Sequence, residues 1–404
     1  MKKEMKIYFA ILALTALGLG LTNDVISNYF KDAYNVDTYQ RGIIEIPREL
    51  PGLLCILIIS SLSFLGDIRL SLIAQILSTV GIVYLGLFTP PFAVMLVFLF
   101  INSTGMHMFF PLQDAIGLSL ADSSNMGKRM GQYKGVYTAF GMIAGIIVFA
   151  GFRTGIFSFT GSIKITFLIA GVFFAIAGVL FMMMQKYMDI PIKKRQKIKL
   201  IFRKEYRYYY ILIVLHGVQK QIVAVFAPWV LIELLGKKAD TLALLGIAGA
   251  FAGIFFMPAV GRWLDKYGIK KLLYADALSF IVIYLAYGFF SEGFDSGRFL
   301  SYGLPVALFF GIIILDRMSM QMGMIRNVYL CSIAKEKEDI TRTFSLGISM
   351  DHVMSILAAY AGGLVWVAFG PQYIFYLAAV LSLVNLGVAA SITVDKKEVE
   401  NVIL

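Results

Sequence analysis

Asp24, Glu45, Arg48, Glu49, His107, Asp114, His216, Lys220, Asp316, Arg317, Arg326, Asp351 and His352 all lie within long apolar stretches of this 404-residue chain. An ionisable side chain in such a setting binds a charge, carries a proton or pairs with a neighbour, because an isolated charge in hydrocarbon is costly. Spacing narrows the choices. His107 and Asp114 are seven apart and share a helical face, whereas Arg317 and Arg326 are nine apart and fall on opposite sides of an unbroken helix. Arg41, Glu45, Arg48 and Glu49 are three and four apart, a spacing at which they can neutralise one another. His107 and His216 can each be satisfied by a backbone carbonyl, the favoured reading for His216, and Asp351-His352 can form an interhelical polar contact. At 1.5 Å per residue, Lys220, His107, Asp316 and Arg317 sit near the middle of their segments. Lys220 and Arg317 are the hardest to dismiss, since a cation at that depth needs an anion or water.

The elements that position these residues are membrane spans. Hydrophobic residues make up 59% of the chain and charged residues 15%, against about 25% charged in an ordinary soluble domain. Spans of about 20 apolar residues are expected at 7–30, 40–64, 69–88, 92–121, 131–152, 164–185, 207–235, 241–262, 271–290, 302–333, 343–367 and 372–394. The basic run Lys193-Lys194-Arg195-Gln196-Lys197 lies almost at the midpoint and cannot enter lipid, where each Lys or Arg costs about 2.5–3.5 kcal/mol. The expected fold is therefore an all-α membrane protein with twelve transmembrane helices in two pseudo-symmetric six-helix bundles. Its expected parts are residues 1–185, a cytoplasmic linker at 186–206, and 207–404 ending in a short cytoplasmic tail.

The net charge of +11 has its meaning in placement rather than in nucleic-acid binding. Most lysines and arginines fall in the loops that share a side with the N-terminus, so that side is cytoplasmic and both termini lie there. This predicts a multi-pass protein of the plasma (inner) membrane with a retained first span. Cys55 and Cys331 lie in apolar segments without metal-ligand spacing. No nucleotide-binding loop, metal constellation or catalytic triad is present, so no catalytic residue, cofactor or metal is expected.

The halves are weakly alike. A shift of 213 residues sets Asp114 on Asn327, Ser119 on Ser332 and Arg129 on Arg342, as in a duplicated membrane unit. Gly131, Gly135, Gly141 and Gly145 predict close helix packing in the fifth span. The loop between spans eight and nine reads Gly261-Arg262-Trp263-Leu264-Asp265-Lys266-Tyr267-Gly268-Ile269-Lys270-Lys271. It resembles the cytoplasmic signature of the major facilitator superfamily, Gly-x-x-x-Asp-Arg/Lys-x-Gly-Arg/Lys-Arg/Lys. Gly261, Asp265, Lys266, Gly268 and Lys270 match, and Ile269 departs at one basic position. The first half keeps the remnant Gly66-Asp67-Ile68-Arg69.

The resemblance implies a secondary transporter whose first, fourth, seventh and tenth spans line a central cavity. On that basis Lys220, Arg317, Asp316, His107, Asp114, Gln221 and Arg48 are candidate binding residues for an anionic or zwitterionic solute. Asp24, Glu45, Glu49, Asp114 and Asp316 are candidates to carry a coupling proton. Asp67, Arg129, Gly261, Asp265, Gly268 and Arg342 form the expected cytoplasmic gate, with Asp265 paired to Arg129 and Asp67 to Arg342. The expected partners are a small-molecule substrate, protons or another coupling ion, and the lipid bilayer around a monomer. Export of drugs or amphiphiles competes, although the fifth span lacks the Gly-Pro antiporter signature. A non-transporting sensor or a lipid scramblase on the same fold is the alternative of another class.

Overall fold

The computed structural model describes residues 3–121, 126–187 and 202–392, without the side chains of Asp24 and a few residues at 126–127, 337–338 and 341. Most of the linker expected at 186–206, and the expected tail, lie outside the described residues. The described chain is all helix: α1 Lys3–Gly20, α2 Ile26–Tyr34, α3 Thr38–Ser61, α4 Asp67–Leu87, α5 Phe92–Leu120, α6 Met126–Arg153, α7 Ile165–Met184, α8 Arg207–Glu233, α9 Ala239–Tyr267, α10 Ile269–Asp295, α11 Leu304–Gln321, α12 Met324–Ile333, α13 Lys337–Phe369 and α14 Pro371–Ser391. Ten spans meet the length and apolarity needed to cross a membrane, α11 and α12 counting as one. The first span (α1 with α2) and the second (α3), whose charges lower their hydropathy, complete the twelve.

Local chemistry sets several ends. Asp37 and Gln40 cap α3 reciprocally: Gln40 N–H donates to Asp37 Oδ1 at 2.7 Å and Asp37 N–H to Gln40 Oε1 at 3.1 Å, a capping box that satisfies two of the donors left free at a helix start. The first span is broken between Gly20 and Ile26, where Thr22 turns its hydroxyl back onto the carbonyls of Gly18 and Leu19. Span ten is broken at Gly323, so the nine-residue spacing of Arg317 and Arg326 does not run along one continuous helix.

Two units divide the chain. One holds 1–36, 47–198 and 238–247; the other holds 37–46, 199–237 and 248–404. The two exchanged ten-residue segments, 37–46 and 238–247, are 201 apart and open the second and eighth spans. The first exchange ends at Pro47, where the ring removes a backbone donor inside α3 and loosens the helix.

The helix pairing repeats between units. In the first, α1 packs on α6 and α7, and α4 on α5 and α7; in the second, α8 packs on α13 and α14, and α10 on α11 and α14. The duplication changes register along the way. Gly66 and Gly268, 202 apart, adopt the same backbone (φ 79°, ψ 157° and φ 80°, ψ 166°) before α4 and α10. The shift of 213 belongs to the fourth and tenth spans, because α10 is six residues longer than α4 and the turn before α11 is four residues longer than the turn before α5. Gly268→Ala places a Cβ on a left-handed backbone and should cost about 1 kcal/mol, measurable as a lower melting temperature in detergent.

Close approach is carried only in part by the glycines expected, Gly145 and the Gly141 backbone. A Cβ on Gly131, Gly135 or Gly141 would meet nothing within 4 Å among the described residues, and only Gly145 of that set faces a neighbour, Ile247. The tight contacts are Gly20 against Gly141 and Ala144, and Gly81 and Gly105 at the crossing of α4 and α5. There Asn102 donates to the Ser78 carbonyl at 3.0 Å.

Candidate functional site

In the second unit, Gly217 lets α8 approach α13 so closely that a Cβ there would stand 2.6 Å from the Asp351 carbonyl oxygen. His216 and Lys220 flank that contact, four residues apart on one face. Asp351 Oδ1 lies 3.2 Å from His216 Nδ1, and Asp351 Oδ2 accepts a hydrogen bond from Lys220 Nζ. His216 is thus satisfied by a carboxylate rather than by the backbone carbonyl expected, and the cation assigned to a solute already has a counter-ion. The cluster is not sealed: the Lys220 side chain is 29% exposed and that of Asp351 15%.

Beside it is a second pair that the sequence reading missed. Arg326 Nη1 donates to Asp276 Oδ2 at 2.8 Å, with side chains 1% and 2% exposed. Arg326 Nη2 and Asp276 Oδ1 have no other partner. Gly323 joins the two clusters: a Cβ there would lie 2.9 Å from Arg326 Nη2 and 3.7 Å from His216 Nε2. Asp276 was visible as a carboxylate inside span nine, and it heads a stripe with Phe280, Tyr284, Tyr287 and Ser291 that is wholly buried.

A third cluster gathers the opening of α3. Glu45 Oε1 accepts Arg41 Nη1 at 2.5 Å, Glu45 Oε2 accepts Gln221 Nε2 at 2.9 Å, and Thr38 Oγ1 accepts Trp229 Nε1 at 2.9 Å. Arg41 and Glu45 therefore neutralise one another, as their spacing allows. Asp316 is buried on α11 with Oδ1 unpartnered, while the Arg317 stem lies against Gly249 of α9.

In the first unit, His107 Nδ1 lies 2.9 Å from the Ser103 carbonyl oxygen and 3.1 Å from the Ser103 hydroxyl. Ser103 Oγ in turn donates to the Arg48 carbonyl at 2.5 Å, tying α5 to α3, on which Glu49 also lies. Asp114 borders a cavity of about 210 Å³ between α1, α5 and α6. Asp24 falls in the break of the first span, its side chain outside the described residues.

Of the expected gate, Asp67 is the first residue of α4, directly after Gly66, whereas Asp265 lies in α9, three residues before Gly268. The two carboxylates therefore occupy non-equivalent places: Gly66 matches Gly268, and Asp67 matches Ile269. Arg129 Nη1 donates to Gln132 Oε1 at 2.9 Å within α6, Arg342 lies near the start of α13, and a Cβ on Gly261 would meet nothing within 4 Å among the described residues.

A duplicated set of spans with charges paired inside them is the architecture of a polytopic membrane protein. The family model for the Major Facilitator Superfamily matches residues 8–329, and the chain belongs to that superfamily. Solved structures agree in fold. The nucleoside transporter NupG superposes with a TM-score of 0.72 at 14% identity, over 96% of this chain and 99% of that one. A POT family transporter in complex with a thioalcohol-conjugated peptide gives 0.76 at 12%, over 96% of each chain. A bacterial homologue of the iron transporter ferroportin, in an inward-facing state, gives 0.73 at 13%, over 96% and 99%. At these identities the likeness establishes the fold and not the substrate. No curated protein matches the chain in sequence.

Proposed function

We propose that the protein is a secondary transporter that moves a small polar solute carrying an anionic group by alternating access, coupled to proton movement. The observation that carries this reading is the partly exposed Lys220–Asp351–His216 cluster at mid-depth on α8 and α13. An anionic solute can take the place of Asp351 at Lys220 without leaving a net charge in the low-dielectric interior, because one anion replaces another. Asp351 then takes up a proton and returns it when the solute leaves, so solute and proton travel together. Arg317 is the second anion-holding candidate, with Asp316, His107, Asp114, Gln221 and Arg48 as further binding candidates.

Asp24, Glu45, Glu49, Asp114 and Asp316 are the other carboxylates proposed for the coupling proton. Glu45 is the least free of them to exchange one, because both of its oxygens accept hydrogen bonds. Asp67, Arg129, Gly261, Asp265, Gly268 and Arg342 are the proposed gate residues. The six-span halves at 1–185 and 207–404, joined by a cytoplasmic linker, are the proposed moving parts, with both termini in the cytoplasm. Neighbours named for nucleosides and peptides fit a small polar cargo.

The test has two stages. A thermal-shift screen of small anionic and zwitterionic metabolites on purified protein identifies a ligand, and its uptake is then followed in proteoliposomes. Uptake should rise several-fold under an inward proton gradient and fall when a protonophore collapses it. Flux indifferent to both the pH step and the protonophore overturns the coupling.

A further inference from the structure

The cavity of about 210 Å³ in the first unit is built from side chains that the proposed transport chemistry does not require together. Tyr8 on α1, Gln113 and Asp114 on α5, and Tyr133 and Tyr137 on α6 border it, with Lys134 exposed at its rim. Its walls are interlocked. The Tyr8 and Tyr133 rings meet edge to face with centroids 5.1 Å apart, Phe9 packs on Tyr133 at 5.0 Å, and the Tyr8 hydroxyl donates to the Gln113 carbonyl. Among the described residues Asp114 has neither an ion-pair nor a hydrogen-bond partner, whereas Glu45, Asp276 and Asp351 each have one. Two more wall residues carry buried oxygens that no protein group satisfies, Tyr133 Oη and Gln113 Oε1.

A carboxylate left unpaired against aromatic rings calls for a cation. Ring faces attract an ammonium as well as packing its carbon frame. The oxygens without donors add acceptors suited to N–H groups. A bare metal ion fits poorly, because Asp114 and the Gln113 amide oxygen fall well short of the about six oxygen ligands such an ion takes, and rings with the Met130 thioether line much of the rest.

We propose that this cavity binds a small organic compound with a primary ammonium group, which Asp114 takes as counter-ion while Tyr8, Tyr133 and Tyr137 enclose the adjoining carbons. The site lies wholly within one unit and gives Asp114 to an ammonium in place of the two transport roles for which it was a candidate; the Lys220–Asp351 cluster carries the transport reading without it.

The test is equilibrium binding to the full-length protein in detergent by calorimetry, with 2-phenylethylamine as probe and 2-phenylethanol, its uncharged analogue of equal size, as comparison. The amine should bind at least ten-fold tighter than the alcohol. Asp114→Asn should remove that preference with the melting temperature unchanged, Tyr137→Leu should weaken the amine several-fold, and Lys134→Gln should leave it as tight or tighter. Equal binding of amine and alcohol to the unmodified protein overturns the proposal. So does an Asp114→Asn variant that keeps the amine's full affinity, which would place the amine elsewhere. If Asp114→Asn does not fold, the amine–alcohol comparison in the unmodified and Lys134→Gln proteins decides alone.

Discussion

Asp276→Ala should be among the most damaging single substitutions in the second unit. It leaves the Arg326 guanidinium buried without its one observed partner; the two side chains are 1% and 2% exposed and share a single 2.8 Å hydrogen bond. Removing one member of such a pair typically costs about 3–5 kcal/mol, a large part of the roughly 5–15 kcal/mol that holds a typical domain together. The pair itself is worth much less than that. Arg326 Nη2 and Asp276 Oδ1 go unsatisfied, so little remains beyond the desolvation of two charges. Replacing both residues together, Asp276→Leu with Arg326→Met, should therefore recover most of the lost stability. Detergent melting curves of the three variants check this: a large fall for Asp276→Ala and a small one for the double variant. An Asp276→Ala protein that melts within a degree or two of the parent refutes the buried-pair account.

Membrane position was legible in the sequence because lipid imposes a one-dimensional rule: a span is a run of apolar residues, whatever it packs against. Ten of the expected spans are apolar enough to follow from that rule alone, and the loop around Gly268 supplied the superfamily. What hydropathy does not encode is facing. Lys220 and Asp351 are 131 residues apart and meet only because Gly217 has no side chain to hold α8 away from α13. Asp276 passed unnoticed for the same reason. One carboxylate in an apolar run looks alike whether it faces a cavity or, as here, a buried arginine. The breaks in spans one and ten were missed because large apolar residues continue on both sides of them, Leu19, Leu21, Val25 and Ile26 at the first and Met320, Met322, Met324 and Ile325 at the second. The backbone adds what the motif fragment alone does not: Gly66 matches Gly268, so Asp67 corresponds to Ile269 rather than to Asp265. The local pairing of Arg41 with Glu45, in contrast, followed from four-residue spacing within one helix.

Asp351→Asn should separate solute binding from proton drive. In the parent protein Lys220 is held by Asp351, and an incoming anion must compete with that carboxylate. Asparagine keeps an oxygen for His216 but removes the competing charge. The pair is only partly buried, so its attraction is to be discounted toward that of an exposed pair; the anion should bind about 5–10-fold more tightly, between the values for exposed pairs and for close interfacial pairs. The fold should survive, because Lys220 is 29% exposed and can be hydrated. With no carboxyl at 351 to load and unload, a proton gradient should no longer concentrate the solute, while exchange of labelled for unlabelled solute across the membrane continues. Lys220→Gln should behave differently, losing about 10–100-fold in binding with the loss of a charged hydrogen bond and, with it, both modes of transport. Adding Asp351→Asn to Lys220→Gln should weaken binding no further, since the carboxylate acts only through the cation it neutralises. Affinity by calorimetry, paired with gradient-driven uptake and counterflow in proteoliposomes, distinguishes these outcomes. If Asp351→Asn still accumulates solute under a pH step as the parent does, the proton is carried by another group. If Lys220→Gln binds normally, the anion does not sit at this cluster at all.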